Sequence, residues 1–234
     1  MGHKGADLIE PGNTVASFDA ALQHGVDMIE LDVLPERVPA GEASSPRLIL
    51  AHDYEDAAGR PILQLEEGLA HLASAAYADV DFILDLKLPG YERRVVEALE
   101  ASGLADRAIV STTYRESLLA LKAHHGSVRV GWSVPKARRD YTRSRVMAVP
   151  ALAVLQVMRR RLPAQATVAL SDGLCHAVMA YWRLVTPRLV ESVGAAGGDL
   201  YVWTVDHGPR IKELHSLGVT GVITNDPRLF SAIP

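Results

Sequence analysis

The sequence contains one cysteine, Cys175, which excludes an intramolecular disulfide and a cysteine-rich structural zinc site. A lone cysteine of this kind reads as a small core side chain. No apolar run is long enough to cross a membrane, and the opening Met1-Gly2-His3-Lys4-Gly5 has no stretch of leader length. Cytoplasmic localisation is therefore the expectation. Positive charge is not in excess either. The formal net charge is -4 with histidine neutral, which argues against nucleic acid as the main partner. Repeats, low-complexity tracts and linkers are also missing, so residues 1–234 are expected to form one domain.

Apolar residues make up 48% of the chain and charged residues 22%, the balance of an ordinary globular protein. Short β-rich runs alternate with longer helical patterns. The strand candidates are residues 28–33, 47–51, 82–86, 108–111, 128–131, 167–170, 200–203 and 221–224. Helical stretches lie between most of them. Thr14 to His24 carries Val15, Phe18, Ala21 and Leu22 on one stripe, with Asn13 or Thr14 as cap and Gly25 as terminator. Tyr91–Ser102 and Tyr114–His125 read the same way. Such alternation implies a parallel sheet with crossover helices, either a barrel or a doubly wound sheet.

Two regions break the rhythm. Leu34 to Pro46 is rich in Pro, Ala, Gly and Ser and reads as a loop. Lys136 to Leu162 holds eight basic residues and one acidic residue, Asp140, around the apolar stretch Val146–Met158. Basic flanks on an apolar helix suit weak contact with an anionic membrane surface. A core-facing helix with a solvated basic edge is the preferred reading.

Strand alternation selects the chemically interesting residues, because residues two apart share a face. Glu30 and Asp32 point one way, and Asp85 and Lys87 likewise. Charges on apolar strand ends are costly to bury unless they serve one another or a cation. Three converging carboxylates form an all-oxygen site that suits Mg²⁺ or Ca²⁺. The structural alternative is a salt bridge from Glu30 or Asp85 to Lys87. Of the nine histidines, His3 and His52 fall at strand ends, where barrel active sites collect. Two imidazoles there can divide acid–base work. Asp53, next to His52, is a candidate to orient its ring, although adjacent residues on a strand point apart. His24, His71, His124, His125 and His215 fall on helical patterns and receive no catalytic role.

These residues carry a resemblance to the glycerophosphodiester phosphodiesterase family. His3-Lys4-Gly5 resembles its opening His-Arg-Gly, and Pro11-Gly12-Asn13-Thr14 its Pro-Glu-Asn-Thr. The run from Gly25 to Val33, His52-Asp53, Leu84-Asp85-Leu86-Lys87, Trp203-Thr204-Val205-Asp206 and Gly221 to Pro227 follow in the family's order. The resemblance implies a single (β/α)8 barrel and one divalent cation, Mg²⁺ or Ca²⁺. Only Met1 and Gly2 precede His3, so the expectation is a truncated first strand, a start further upstream, or a loop at Gly5 that helps close the barrel. The resemblance also implies that Glu30, Asp32 and Asp85 ligate the metal and that His3 and His52 are the acid–base pair. Lys4 and Lys87 would neutralise phosphate, and Trp203 would flank the glycerol. The implied reaction yields a phosphomonoester, such as glycerol 3-phosphate, and an alcohol. The chain departs from the pattern at Gly12 (Glu in the family), Lys4 (Arg) and Asp85 (Glu). Two alternatives follow: lysophospholipase D action on a lysophospholipid at the same site, and a weakly active or inactive relative that binds phosphodiesters.

Overall fold

A computed structural model describes residues 1–37, 45–123, 128–136 and 148–232. The first strand, β1, is only Gly2–His3 and leads through a tight turn to helix α1, Val15–Gln23. Thr14 caps α1 by accepting from the Ser17 N–H, and Gly25, with φ +68°, follows its end. Strand β2 is Met28–Pro35, β3 Leu48–Leu50 and β4 Asp81–Leu86, with helices α2 (Tyr54–Ala58) and α3 (Leu65–Leu72) between the last two. Helix α4 (Glu92–Ser102), β5 (Ala108–Thr112), α5 (Arg115–Ala123) and β6 (Arg129–Val134) come next. The chain then runs through α6 (Ala148–Ser171), β7 (Ala177–Tyr181), α7 (Pro187–Ala195), β8 (Asp199–Trp203), α8 (Gly208–Ser216) and β9 (Gly221–Val222).

The sheet order is β1-β2-β4-β5-β6-β7-β8-β9, every neighbour parallel, with β3 hung antiparallel on β2. The sheet curls until its two ends meet at one parallel bridge, Gly2 with Thr224. The His3 N–H donates to the Thr224 carbonyl at 2.8 Å, and the Thr224 N–H to that of Met1 at 3.1 Å. This is a barrel-like parallel sheet with a narrow seam.

Alternation along each strand divides the apolar residues into two cores. Ile29, Leu31 and Val33 of β2, with Phe82, Leu84 and Leu86 of β4, pack outward against Phe18, Leu65, Val95 and other helix residues. The opposite parity fills the interior with Met28, Ile83, Ile109, Met179, Tyr201 and Ile223. Each large apolar side chain so buried contributes roughly 1.5–3 kcal/mol. Cys175 belongs to the outer core, and burial pushes its thiol up to about 12.

Three sequence expectations change. Thr167–Leu170, read as a strand, lies inside α6, and the strand it stood for is β7. The β-branched pair Thr167 and Val168 has strand character, yet Thr167 Oγ1 donates to the Pro163 carbonyl one turn back and Val168 faces solvent. Residues 47–51 supply a strand, but an antiparallel one outside the parallel series. Strand β2 also runs on to Pro35, into the expected loop, where proline ends a strand without breaking a ladder. Residues 38–44 of that loop, 137–147 of the basic segment, and His124 and His125 lie outside the described residues. Among the described residues no helix is long and apolar enough to cross a membrane.

Candidate active site

Parallel register sets the core of the site. His3 stands beside Glu30, Asp32 beside Asp85, and Asp85 beside Ser111. All point to the interior, above the inner apolar layer, at the C-terminal end of the strands where barrel chemistry gathers. Oxygens of Glu30, Asp32 and Asp85 lie within 4.8 Å of one another. Asp32 is fully buried and Glu30 nearly so.

Lys87 enters this cluster. Its ammonium lies 2.5 Å from Asp32 Oδ1 and 2.7 Å from Asp85 Oδ2. The Asp85 contact is a directed hydrogen bond. The Asp32 contact is a short ion pair at hydrogen-bond distance, and Lys87 is the one partner of Oδ1 among the described residues. The salt-bridge alternative is thus partly realised, with Asp85 and Asp32 rather than Glu30 as the direct partners.

One ammonium does not balance three carboxylates. Burial, reinforced by the Asp32 charge, holds the Glu30 carboxyl well above its ordinary value. Burial also opposes ionisation of Asp32, but Lys87, His52 and His3 outweigh it and hold Asp32 below its ordinary value. For Lys87, burial is overcome by Asp32, Asp85 and Glu30, so the ammonium is retained far above its usual range. Three largely buried carboxylates clustered around one ammonium, short of positive charge, are a donor set that fits a hard divalent cation.

Neighbouring side chains aim the carboxylates. Asn13 grips Asp32 twice: its Nδ2 donates to Asp32 Oδ2 at 2.9 Å, and its Oδ1 accepts the Asp32 N–H at 2.9 Å. Asn13 is buried and holds φ +58° to do so, a conformation that asparagine tolerates better than most side chains. Ser111 and Ser133 both donate to Asp85 Oδ1, at 2.6 and 3.2 Å. Glu30 Oε2 accepts the Lys4 N–H at 3.0 Å and lies 3.8 Å from His3 Nε2.

The β1 turn presents Lys4. Lys4 and Gly5 take φ +50° and +89°, and buried Ser17 clamps them by donating to the Lys4 carbonyl and accepting the Ala6 N–H, each at 2.7 Å. A Cβ on Gly5 would meet the Ser17 backbone at 2.6 Å, so only glycine fits. The Lys4 ammonium pairs with Asp7 at 2.9 Å. Burial works against its charge, but Asp32, Asp7 and Glu30 raise its pKa. Asp7 also accepts the Gly12 N–H at 3.0 Å. A carboxylate therefore stands beside the position where the family pattern has glutamate.

The two imidazoles differ in setting. His3 is mostly buried; burial lowers its pKa, and its Nδ1 faces Asn225 Oδ1 at 2.5 Å. His52 lies in the loop between β3 and α2 and is half exposed. Its Nδ1 is bonded to Asp53 Oδ2 at 3.0 Å, which the pair can reach because both lie past the end of β3 and not on the strand, while Asp53 Oδ1 caps α2. Both rings act electrostatically on Asp32. Trp203 stands further round the barrel at the end of β8. Its indole N–H is given to the Met179 carbonyl, and its ring packs near Tyr181.

Asn13, Ser111, Ser133, Asp7, Asp206 and Asn225 were not singled out as site residues from the sequence. Ser111 had a readable signal: it shares inward parity with Ile109 on an otherwise apolar strand. Asn13 reads from the sequence as a helix cap and as part of the Pro11-Gly12-Asn13-Thr14 motif, with no partner assigned to its side chain.

Residues 87–229 match the family model described as glycerophosphoryl diester phosphodiesterase family. The chain is 22% identical to a glycerophosphodiester phosphodiesterase of Caldanaerobacter subterraneus, over 97% of this chain and 93% of that protein. Its fold resembles the glycerophosphodiester phosphodiesterase of Agrobacterium tumefaciens, with TM-score 0.69, 18% identity, and coverage of 99% of this chain and 98% of that one. It also resembles an Oleispira antarctica phosphodiesterase solved in complex with the product sn-glycerol-3-phosphate, with TM-score 0.70, 19% identity, and coverage of 99% and 95%.

Proposed function

Because the chain belongs to the glycerophosphoryl diester phosphodiesterase family, we propose that it hydrolyses a glycerophosphodiester to a phosphomonoester and an alcohol at the site between His3 and His52. The observation that carries this reading is the convergence of Glu30, Asp32 and Asp85, with His3, Lys4 and Lys87 beside them. The sheet with its meeting ends is read as a (β/α)8 barrel whose first strand is shortened to Gly2–His3.

Glu30, Asp32 and Asp85 would hold one divalent cation, Mg²⁺ or Ca²⁺. When bound, the cation adds positive charge where the diester's own anion repels a nucleophile. The side chains supply the rest. Lys4 and Lys87 set ammonium charge beside the phosphoryl oxygens, stabilising the charge that develops there. One imidazole takes the proton of the attacking hydroxyl, from water or the substrate's glycerol. The other gives a proton to the departing alkoxide. A phosphorus–oxygen bond forms to the nucleophile, and the one to the alcohol breaks. Attack by water gives the phosphomonoester directly. Attack by the glycerol hydroxyl gives a cyclic phosphodiester that water opens to the monoester in a second displacement, with the two imidazoles exchanging roles. Trp203 borders the glycerol end. Glycerol 3-phosphate as product has the support of the Oleispira complex, where it is the bound product.

The test is a panel of deacylated glycerophosphodiesters assayed after EDTA treatment and with Mg²⁺ or Ca²⁺ restored. Turnover that needs the cation is the expected result; none on any diester, with or without it, overturns the reading.

A second reading, lysophospholipase D action at the same site, is favoured by the surface of α6. Leu152, Val154 and Val157 are exposed there, with Arg160 and Arg161 next in the helix. Apolar and basic side chains together suit an anionic lipid surface. Equal turnover of lysophospholipid after the two arginines are replaced by glutamine counts against it.

A further inference from the structure

The mouth of the barrel holds a hydrogen-bond chain that the cation site does not use. It crosses the seam from the segment after β8, through the segment after β9, to β1. Asp206 Oδ1 accepts the Asn225 N–H at 2.8 Å and the Thr224 hydroxyl at 2.9 Å. Asp206 Oδ2 accepts the Asn225 side-chain Nδ2 at 2.7 Å. Asn225 Oδ1 then meets His3 Nδ1 at 2.5 Å.

Each link constrains the next. A carboxylate only accepts, so the Asn225 amide must turn its NH₂ to Asp206 and its oxygen to His3. An amide oxygen also only accepts, so the His3 nitrogen facing it must carry the hydrogen. With the amide reversed, an NH₂ would face Nδ1 and a carbonyl would face a carboxylate. With the imidazole hydrogen on Nε2, two lone pairs would meet across 2.5 Å. Each alternative loses the part-buried His3–Asn225 hydrogen bond and gains a repulsion, and reversing the amide also loses the exposed bond to Asp206.

We propose that Asp206, acting through the Asn225 amide, fixes His3 as the Nδ1–H tautomer and so assigns Nε2 as the nitrogen that exchanges a proton during catalysis. Asp206 and Asn225 are positioning residues. The geometry agrees, because Nε2 lies 3.8 Å from Glu30 Oε2, beyond hydrogen-bond distance, with its lone pair open to the site. Which nitrogen of a histidine is available is set by the bond the other one makes. The catalytic half of the proposal rests on the acid–base role given to His3 above; the tautomer half does not.

The experiment compares the parent protein, Asp206→Asn, and the exchange Asp206→Asn with Asn225→Asp. Two-bond ¹H–¹⁵N correlation spectra of histidine-labelled protein read the tautomer, with His3 assigned by the signal lost in His3→Gln. The parent should show Nδ1–H alone. In Asp206→Asn the new amide keeps its oxygen on the Asn225 N–H and the Thr224 hydroxyl and turns its NH₂ to the Asn225 side chain. The Asn225 amide should therefore reverse, Nε2–H should appear at His3, and kcat should fall roughly tenfold or more with KM little changed. The exchange restores an obligate acceptor at 225, so Nδ1–H and most of kcat should return. An Nε2–H parent, an unchanged spectrum in Asp206→Asn whether or not activity falls, or an exchange that does not restore Nδ1–H overturns the proposal. Should Asp206→Asn not fold, the exchange alone decides by the same spectrum. A parent without diesterase activity removes the reading of the site but leaves the tautomer to be read.

Discussion

Lys87 and Asp32 form an ion pair at 2.5 Å in which the carboxylate is sealed from solvent. The consequence is a site whose charge balance decides its stability. Lys87→Met leaves buried carboxylates without their ammonium, which should cost about 3–5 kcal/mol in cation-free protein. Saturating Mg²⁺ or Ca²⁺ should return more stability to the variant than to the parent. Thermal melting with EDTA and with cation measures both, and equal melting of the two proteins in EDTA contradicts the account.

The imidazoles and the carboxylates should separate in function. His3→Ala or His52→Ala is expected to reduce kcat by about 10²–10⁴-fold while the cation still raises the melting temperature. Glu30→Ala or Asp32→Ala should lose both turnover and that rise. Cation affinity persisting in the carboxylate variants would remove them as ligands.

Gly12 is closed to side chains by Asp7. A Cβ there would lie 2.4 Å from Asp7 Oδ1 and 2.8 Å from Lys4 Cβ. Gly12→Ala should therefore cost about 1–3 kcal/mol by overpacking and displace the carboxylate from Lys4. Restoring the family's glutamate by Gly12→Glu should be better tolerated with Asp7→Ala than alone. A double-mutant cycle reads the coupling; simple additivity would show that the two positions do not compete.

Away from the site, Asp19 Oδ1 accepts from the Tyr77 hydroxyl at 2.6 Å and from His71 Nε2 at 2.7 Å. Burial opposes its charge, but these two bonds hold its pKa below the ordinary value. A depressed carboxylate adds stability above its unfolded pKa of about 4 and loses it as pH falls through the folded value. Asp19→Asn should thus melt lower at neutral pH, by about 1 kcal/mol or less because the carboxylate is half exposed. The gap should narrow on acidification. A gap that widens there contradicts the assignment.

Local pattern carried much of the architecture into view. Two-residue parity put Glu30 with Asp32, and Asp85 with Lys87, on shared faces; the register sets Asp32 beside Asp85, and Lys87, just past β4, brings its ammonium to both. It misjudged Thr167–Leu170 because two β-branched residues imitate a strand wherever a helix happens to expose one of them. The partners of the site residues were harder to see for a different reason. Asn13 on Asp32, and Asn225 on His3, are contacts between elements brought together by curvature, and no periodicity within either element encodes them.

The seam also orders events in time. The residues proposed to hold the cation and Lys87 all lie within the first 87 positions, whereas Asn225 meets His3 from 222 residues further along. Contacts so distant in the chain form late, and a growing polypeptide emerges N-terminal part first. On the ribosome, every carboxylate of the cluster is made long before Asn225, so the His3 imidazole can be set only after residue 225 has emerged.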